Sequence, residues 1–454
     1  MPARRPITTM LLSILLALLV AAPIAPVWAP GQSQAWAEPL APNAPLAAVA
    51  PIPKQPLPPE IGSPGDASGQ AETYRRPATP YFFYRYTTPV ILTPHTDQVV
   101  IGFEEGQSDG QRASLWAASE ADLSIAEAVG LIDTRARRYT LTGAWPLAEF
   151  DAWAAGVRQL PGVRFVSPLL SIGDGSPLYF TDEVMVCFNE ALSRAEALEA
   201  IERHGLQVLD DLESVPGEGP LYLVQAEREQ DRTALEVANA LQEDALVLYA
   251  QPNFMFPLDE RPEPQPEDDF PSGSFSALST PWHVTRVKAD RAWSLLGSRP
   301  ANSVQVAIID TGVQRSHPAL QGHVAAEGYD AVNEIAGPNA GEPKGTGGKW
   351  YHGTAVAGVV AAIPGGAALG IGRFYCQILP VSTFDANCQS SQEYIRRAIY
   401  WAAKTAHVLN ISQAVDDVGA GYSWPAMENA ITYARAWKCV VVASSSNDNQ
   451  PFVG

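Results

Sequence analysis

The chain has few of the residues from which metal, redox and disulfide sites are built. Its 454 residues include 4 cysteines and 7 histidines. It has no Cys-x-x-Cys motif, and its histidines show no metal-ligand spacing, so no metal site is expected. Cys376 and Cys388 are close enough in sequence to form a disulfide in an exported protein, and buried reduced thiols are the alternative. The sequence leaves both alternatives open.

Positive charge is also scarce. Lysine and arginine number 30 against 49 aspartate and glutamate residues, which gives a net charge of -19. A chain this acidic repels nucleic acid and anionic membrane surfaces, so neither is expected as a partner. Hydrophobic residues make up 46% of the chain. That share allows buried cores in about three domains.

Long apolar runs are absent except near the N-terminus. Met10–Ala22 is largely apolar, follows two arginines, and is shorter than the roughly 20 residues that a bilayer span requires. The sequence Ala35-Trp36-Ala37 then matches a signal-peptidase cleavage pattern. Residues 1–37 are therefore predicted to be a signal peptide cut before Glu38, with a membrane anchor as the alternative. The product is expected to be secreted and to have no membrane contact after signal removal.

Composition divides the rest of the chain into five segments. Residues 38–95 are rich in Pro and Ala and are predicted to be a linker. Residues 96–172 and 178–257 are two similar segments, called module 1 and module 2. Residues 258–281 form a second, acidic and proline-rich linker, which is a plausible site of proteolytic processing. Residues 282–454, called the third domain, have a different pattern of strands and helices.

Modules 1 and 2 have the pattern of a tandem repeat. Module 1 opens with a strand-like run at 99–103 and closes with another at 163–168. Module 2 opens with such a run at 184–188 and closes with another at 247–252. The corresponding runs are offset by 85 residues (99 to 184) and 84 residues (163 to 247). A nearly constant offset of this kind indicates a diverged duplication.

Helical patterns lie between the strands of each module. In module 1, Pro146 suits a first-turn position ahead of an apolar stripe. In module 2, Ser193 and Glu196 form a capping box, and a second helix is expected from Asp231 to Gln242. Each module is therefore predicted to be an α+β unit with helices on one face of a sheet.

Short strands that are apolar throughout alternate with helices in the third domain. Strands of this kind are typical of a parallel sheet that is buried on both faces. The expected strands are 304–309, 377–384, 408–411 and 439–443, and the expected helices follow His352 and cover 394–404 and 426–437. The predicted fold class is α/β, a parallel sheet with helices on both faces, preceded by the two small α+β modules.

Three polar residues stand where this fold places functional groups. Asp310 ends a buried strand, at the edge where open α/β sheets hold their sites. His352 precedes a helix, whose dipole favours the neutral imidazole that a general base requires. Asn447 follows another strand, from which its amide can donate to an oxyanion. Taken singly, each has an ordinary alternative: a turn aspartate, a packed or metal-bound histidine, and a loop asparagine.

Taken together, the motifs resemble the subtilisin family of serine proteases. Asp310 lies in Ala-Ile-Ile-Asp-Thr-Gly-Val, and His352 opens His-Gly-Thr-Ala-Val-Ala-Gly. Asn-Ile-Ser and Val-Val-Val-Ala-Ser-Ser-Ser-Asn follow in the family's order, the latter ending at Asn447. The likeness covers residues 282–454. Modules 1 and 2 also look like the family's propeptide domain, doubled here.

The resemblance implies a secreted serine endopeptidase precursor that hydrolyses peptide bonds through an acyl-enzyme. By that resemblance, Asp310 would orient His352, and His352 would take the proton of a serine. Asn447 would hold the oxyanion. The substrate cleft would be lined by three consecutive residues, Ser412, Gln413 and Ala414. The expected partners are a polypeptide substrate and the chain's own propeptide.

The chain departs from the family at several positions. The serine nucleophile, which follows the oxyanion asparagine in a Gly-Thr-Ser motif, is absent, so the chain is expected to be an inactive, C-terminally truncated fragment. Ala414 and Ser446 replace glycines, which would reshape the specificity pocket. Ala319 replaces a calcium-binding aspartate, and residues 364–366 lack oxygen-bearing side chains. Neither calcium nor another cofactor is therefore expected, although calcium occurs in the family.

Two other functions fit the same features. The modules are suited to act in trans as a secreted protease inhibitor or folding chaperone, whatever the third domain does. The third domain is alternatively a pseudoprotease that binds peptides without cutting them.

Overall fold

A computed structural model gives the structure of residues 74–104, 106–108, 110–112, 125–131, 136–141, 143–173, 177–214, 218–226, 231–257, 282–296, 304–362, 369–372, 375–413 and 424–444. The predicted signal peptide, residues 1–37, and the predicted processing linker, residues 258–281, lie outside these ranges. Within the described ranges the chain forms a two-stranded hairpin and three larger sheets.

The hairpin lies within the segment that was predicted to be a linker. Strand β1 (Phe82–Arg85) pairs antiparallel with β2 (Thr88–Ile91). The linker prediction for residues 38–95 is therefore wrong over its last part. Composition was misleading because prolines continue to Pro94, whereas the aromatic run Tyr81–Tyr84 is buried by residues far away in the sequence.

Module 1 is a four-stranded antiparallel sheet with a helix on one face. Its elements are β3 (Thr93–Phe103), β4 (Ile125–Leu131), β5 (Ala136–Leu141), α1 (Leu147–Arg158) and β6 (Val163–Ser171). Helix α1 begins one residue after Pro146, and buries Phe150, Ala154 and Val157 against the sheet. The predicted helix and closing strand are confirmed.

Module 2 has two helices and four strands of its own. Its elements are β7 (Tyr179–Phe188), α2 (Arg194–Arg203), β8 (Leu206–Leu212), β9 (Leu221–Ala226), α3 (Ala234–Gln242) and β10 (Val247–Pro257). The capping box of Ser193 and Glu196 is confirmed. The second helix starts three residues later than predicted, because Thr233 caps it through a second capping box with Glu236.

The two modules have the same strand order. It is β4-β5-β3-β6 in module 1 and β8-β9-β7-β10 in module 2, so strands that correspond in chain order occupy corresponding places. This agreement supports the duplication that the 85- and 84-residue offsets indicated. Module 2 has the β-α-β-β-α-β order of a ferredoxin-like unit.

The third domain contains a six-stranded sheet. Its strands are β11 (Val304–Asp310), β12 (Glu327–Asp330), β13 (Ile335–Pro338), β14 (Cys376–Ser382), β16 (Val408–Ile411) and β17 (Val440–Ala443), and β15 (Gln389–Ser391) lies outside that sheet. Its helices are α4 (Trp282–Arg286), α5 (Ala289–Leu296), α6 (His352–Ala361), α7 (Gln392–Ala403) and α8 (Pro425–Ala436). The order is β13-β12-β14-β11-β16-β17, with every neighbouring pair parallel except β12 with β13.

Helices cover both faces of this sheet because side chains alternate along the strands. On β11, Val306 and Ile308 belong to the core that includes α6. The intervening Ala307 and Ile309 belong to the core that includes α7 and α8. A central strand that is buried on both faces explains the continuous apolar run in the sequence. The predicted α/β fold class is confirmed.

The four cysteines are all buried free thiols. Cys376 and Cys388 lie in different core clusters, so the disulfide alternative is not realised and the buried-thiol alternative holds. Among the described residues, no helix combines the length and hydrophobicity needed to cross a membrane.

Candidate active site

The site lies where the parallel strands end. Strand β11 ends at Asp310, opposite Ser382 at the end of β14. Strand β16 ends at Ile411, beside Ala443 at the end of β17. Because these strands are parallel and in register, their carboxyl ends meet at one edge of the sheet, as the sequence predicted for this fold class.

Asp310 and His352 are joined by a hydrogen bond. The His352 Nδ1 atom lies 2.8 Å from Asp310 Oδ1 and 2.9 Å from Oδ2. The aspartate side chain is fully buried, and the histidine side chain is 41% exposed. An ionised aspartate only accepts hydrogen bonds, so Nδ1 carries the proton and Nε2 is the ring nitrogen that can accept one.

Thr311 and Thr354 join the two motifs that carry this pair. The Thr311 hydroxyl donates to the Trp350 carbonyl oxygen at 3.1 Å and accepts from the Gly353 N–H at 3.1 Å. In return, the Thr354 hydroxyl accepts from the Gln314 N–H at 3.0 Å. These bonds fix the start of α6 against the end of β11. They explain why threonine follows Asp310 directly and stands two residues after His352.

Gly353 allows the helix to come this close to the strand. A Cβ atom at this position would lie 2.4 Å from the Gly312 carbonyl oxygen and 2.9 Å from the Asp310 Cβ atom. Neither contact is compatible with the present positions of Asp310 and His352. The glycine is therefore a geometric requirement of the Asp310–His352 hydrogen bond.

Gln413, predicted to line the substrate cleft, is buried among the strand ends. Its Nε2 atom donates to the Ile309 carbonyl oxygen at 3.2 Å and to the Thr383 hydroxyl at 2.6 Å. Thr383 in turn donates through its backbone N–H to the Asp310 carbonyl oxygen at 3.0 Å. The Gln413 amide, two residues after the end of β16, therefore links the last residues of β11 to Thr383, which directly follows β14. Within the described residues its Oε1 atom has no hydrogen-bond partner.

The other predicted site residues are placed only in part. Ser412 is half-buried beside Gln413, and its hydroxyl accepts from the Asn410 Nδ2 at 2.8 Å. Asn447 and Ala414 lie outside the described residues. Their predicted roles as oxyanion donor and cleft wall therefore stay predictions.

Strand β15 is a feature of the site that sequence reasoning missed. Although it belongs to the third domain, it pairs antiparallel with β10, so module 2's sheet has β15 as its edge strand. Met255, Phe256 and Pro257 of β10 lie opposite Ser391, Ser390 and Gln389 of β15. These three residues have no hydrophobic alternation, so the sequence did not predict a strand here. They form a strand only because β10 pairs with them.

Helix α7 carries a buried ion pair where module 2 meets the third domain. Arg396 bonds the Glu393 carboxylate through Nε at 2.7 Å and Nη2 at 3.0 Å. Its Nη1 donates to the Glu213 carbonyl oxygen of module 2 at 2.9 Å. Burial by itself lowers the pKa of Arg396, but the Glu393 carboxylate outweighs that effect and holds the pKa above its ordinary value. Arg397 also bonds Glu393, at 2.7 Å, and extends to Asp210 at 2.8 Å.

Two family descriptions match the chain. The Subtilase family matches residues 301–453, and the fervidolysin N-terminal prodomain matches residues 172–253. The first match contains Asp310 and His352, and the second covers most of module 2.

One of the curated relatives is a serine proteinase by name. A thermophilic serine proteinase of Bacillus sp. is 29% identical over 273 residues, which cover 60% of this chain and 60% of that protein. Fervidolysin of Fervidobacterium pennivorans is 35% identical over 153 residues, covering 32% of this chain and 21% of that protein. The chain therefore matches less than two thirds of the length of either relative.

Solved structures include the epidermin leader peptide processing serine protease of Staphylococcus aureus. It is 20% identical to this chain, with a TM-score of 0.38, and the match covers 57% of this chain and 60% of that one. The family match, the sheet and the Asp310–His352 pair agree with one another. Residues 301–453 therefore carry a domain of the subtilase family.

Proposed function

We propose that the chain is the precursor of a secreted serine endopeptidase in which Asp310 and His352 are two members of a catalytic triad. The observation that carries this proposal is the hydrogen bond from the His352 Nδ1 to the buried Asp310 carboxylate. That bond holds the imidazole in the tautomer whose Nε2 accepts a proton. The third member is a serine, and it is absent from residues 1–454 in the family's Gly-Thr-Ser context.

The reaction proposed for this triad has two stages. The His352 Nε2 takes the proton of the serine hydroxyl as its oxygen attacks the substrate carbonyl carbon. The Asp310 carboxylate stabilises the imidazolium that forms, and the Asn447 amide donates to the oxyanion. His352 then gives its proton to the leaving amine, and an acyl-enzyme remains. Water, deprotonated in the same way, hydrolyses the acyl-enzyme and restores the serine.

The same proposal assigns module 2 as a prodomain. Its last strand, β10, adds to the third domain at β15, which is how an extended peptide binds to an exposed strand edge. While β10 is bound, this edge is closed to a substrate peptide. Residues 1–37 would direct export, and cutting within residues 258–281 would separate the prodomain from the protease.

The test uses the complete gene product. The gene is sequenced past codon 454, the full protein is expressed, and hydrolysis of a denatured protein substrate is measured. Asp310→Asn and His352→Ala are each expected to lower kcat by about 10⁴-fold or more. Glu199→Gln, on the exposed surface of module 2, serves as the control and keeps full activity. A complete product without hydrolytic activity, or one whose activity survives His352→Ala, contradicts the proposal and favours an inhibitor or pseudoprotease.

A further inference from the structure

The segment Tyr81–Leu92, called the N-terminal hairpin, contains β1 and β2. Its inward side chains Tyr81, Phe83, Val90 and Leu92 belong to the hydrophobic core of module 2. Trp424, which directly precedes α8 of the third domain, belongs to the same core. The hairpin therefore lies across the boundary between module 2 and the third domain.

Three aromatic rings meet at that boundary. The Phe83 ring stacks on Trp424 with 4.7 Å between centroids and 9° between planes. Phe83 also makes an edge contact with Phe254 of β10 at 5.5 Å, and Phe254 lies 5.1 Å from Trp424. One ring comes from the hairpin, one from the last strand of module 2 and one from the third domain. Removing the hairpin would therefore uncover both remaining rings.

Polar contacts fix the turn of the hairpin on the third domain. Arg85 donates to Glu428 Oε1 at 2.6 Å, and the Tyr86 hydroxyl donates to Glu428 Oε2 at 3.2 Å, so both carboxylate oxygens are engaged. Tyr86 has a φ of 51°, a backbone conformation that bulky side chains avoid. An unfavourable backbone conformation persists only where the surrounding structure holds it, and the bond to Glu428 is one such contact.

The strands of the hairpin are fixed on the two modules. The Asn239 Nδ2 of α3 donates to the Phe82 carbonyl oxygen at 2.9 Å. The Tyr81 hydroxyl donates to Asp151 of α1 at 2.6 Å. The hairpin therefore contacts module 1, module 2 and the third domain at the same time.

We propose that the N-terminal hairpin is a clasp that holds module 2 on the third domain, with Trp424 and Glu428 as its docking surface. Module 2 leaves only when the hairpin leaves that surface. The proposal rests on the assignment of module 2 as a prodomain, but it requires no catalytic activity.

The experiment measures release of the modules from the full chain. A recognition sequence for a site-specific protease is inserted between residues 258 and 281, and the folded chain is cut there. The cut protein is diluted, and loss of the N-terminal fragment is followed by size-exclusion chromatography at timed intervals. The variants are Arg85→Glu, Glu428→Arg and the combination of both. Ile91→Ala is the matched control, because Ile91 lies on the same hairpin but is 48% exposed.

Each single charge reversal is expected to speed release at least about tenfold. The double reversal restores the attraction and is expected to release the fragment several times more slowly than either single variant. The control Ile91→Ala is expected to release it at the wild-type rate. The rescue separates loss of the contact from loss of folding, since a misfolded single variant would not recover. Release of the single variants at the wild-type rate, no rescue in the double variant, or immediate release of the wild-type fragment overturns the clasp. Activity is not measured, so failure of the proposed function leaves this result unaffected.

Discussion

Replacing Glu393 by glutamine is expected to destabilise the contact between module 2 and the third domain. The Glu393 side chain is 1% exposed and that of Arg396 is 2% exposed, so the substitution leaves a buried guanidinium without its carboxylate. Removing one partner of a buried ion pair costs about 3 to 5 kcal/mol. Arg396 keeps its bond to the Glu213 carbonyl oxygen, which places the expected cost near the lower end of that range.

The opposite substitution, Arg396→Met, is expected to cost less. Glu393 would keep Arg397, whose Nε lies 2.7 Å from its carboxylate, so no buried charge loses all its partners. The loss is then about 2 kcal/mol, the contribution of hydrogen bonds to a charged group. The double substitution removes the stranded guanidinium and is expected to be milder than Glu393→Gln alone.

Thermal unfolding of the full chain distinguishes these cases. A loss of about 3 kcal/mol lowers the melting temperature by roughly 6 to 12 °C. Glu199→Gln, which changes an exposed glutamate of α2, is the control and is expected to melt with the wild type. If Arg396→Met lowers the melting temperature as much as Glu393→Gln, or if the double variant is the least stable, the reasoning from buried charge is refuted.

Three further predictions concern the sheet edge and its supports. Gly353→Ala forces α6 away from β11 and is expected to lower kcat of the complete protease by about 10²-fold. The control is Gly358→Ala on the same helix, where an added Cβ atom meets no neighbouring element within 4 Å, so activity should be retained. Gln413→Leu removes the two hydrogen bonds that the Gln413 amide donates, to the Ile309 carbonyl oxygen and to the Thr383 hydroxyl. The loss should cost about 1 to 3 kcal/mol in thermal unfolding and lower kcat more than it raises KM. Unchanged stability and kcat would exclude this role. Burial lowers the pKa of His323 below its ordinary value of 6.5, with the hydrogen bond to Cys376 opposing. The unfolded state therefore binds more protons than the folded state, and the free energy of unfolding falls as pH decreases below about 6.5. This fall should be shallower in His323→Gln than in the wild type. Equal pH profiles of melting temperature for the two proteins would contradict this.

Most of the third domain could be predicted from the sequence because its signals are local. Strand β16 has the predicted bounds, 408–411, and β11 extends one residue beyond its prediction. Each is a short apolar run whose burial on both faces leaves no other assignment. The Asp310–His352 pair was equally predictable, since both motifs include the threonines and glycines that hold the pair together.

The hairpin and β15 could not be found in this way. Residues 82–91 lie among prolines, and Gln389–Ser391 is a run of small polar residues. Neither has the alternation that marks a strand with one buried face. In the hairpin, β1 and β2 pair with each other, and β15 pairs with β10. These pairings make each segment a strand.

The sequence by itself determined most of the local elements and which residues are candidates for catalysis. Alternating and continuous apolar runs, capping residues and the two motifs act over a few neighbouring positions, and physical chemistry assigns them one structure each. Only the tertiary structure decided which residues distant in the sequence pack against one another. The Phe83–Trp424 stack, the bonds of Gln413 and the burial of Arg396 against module 2 join residues 30 to 341 positions apart. Their energies depend on distance in space, which no local pattern in the sequence specifies.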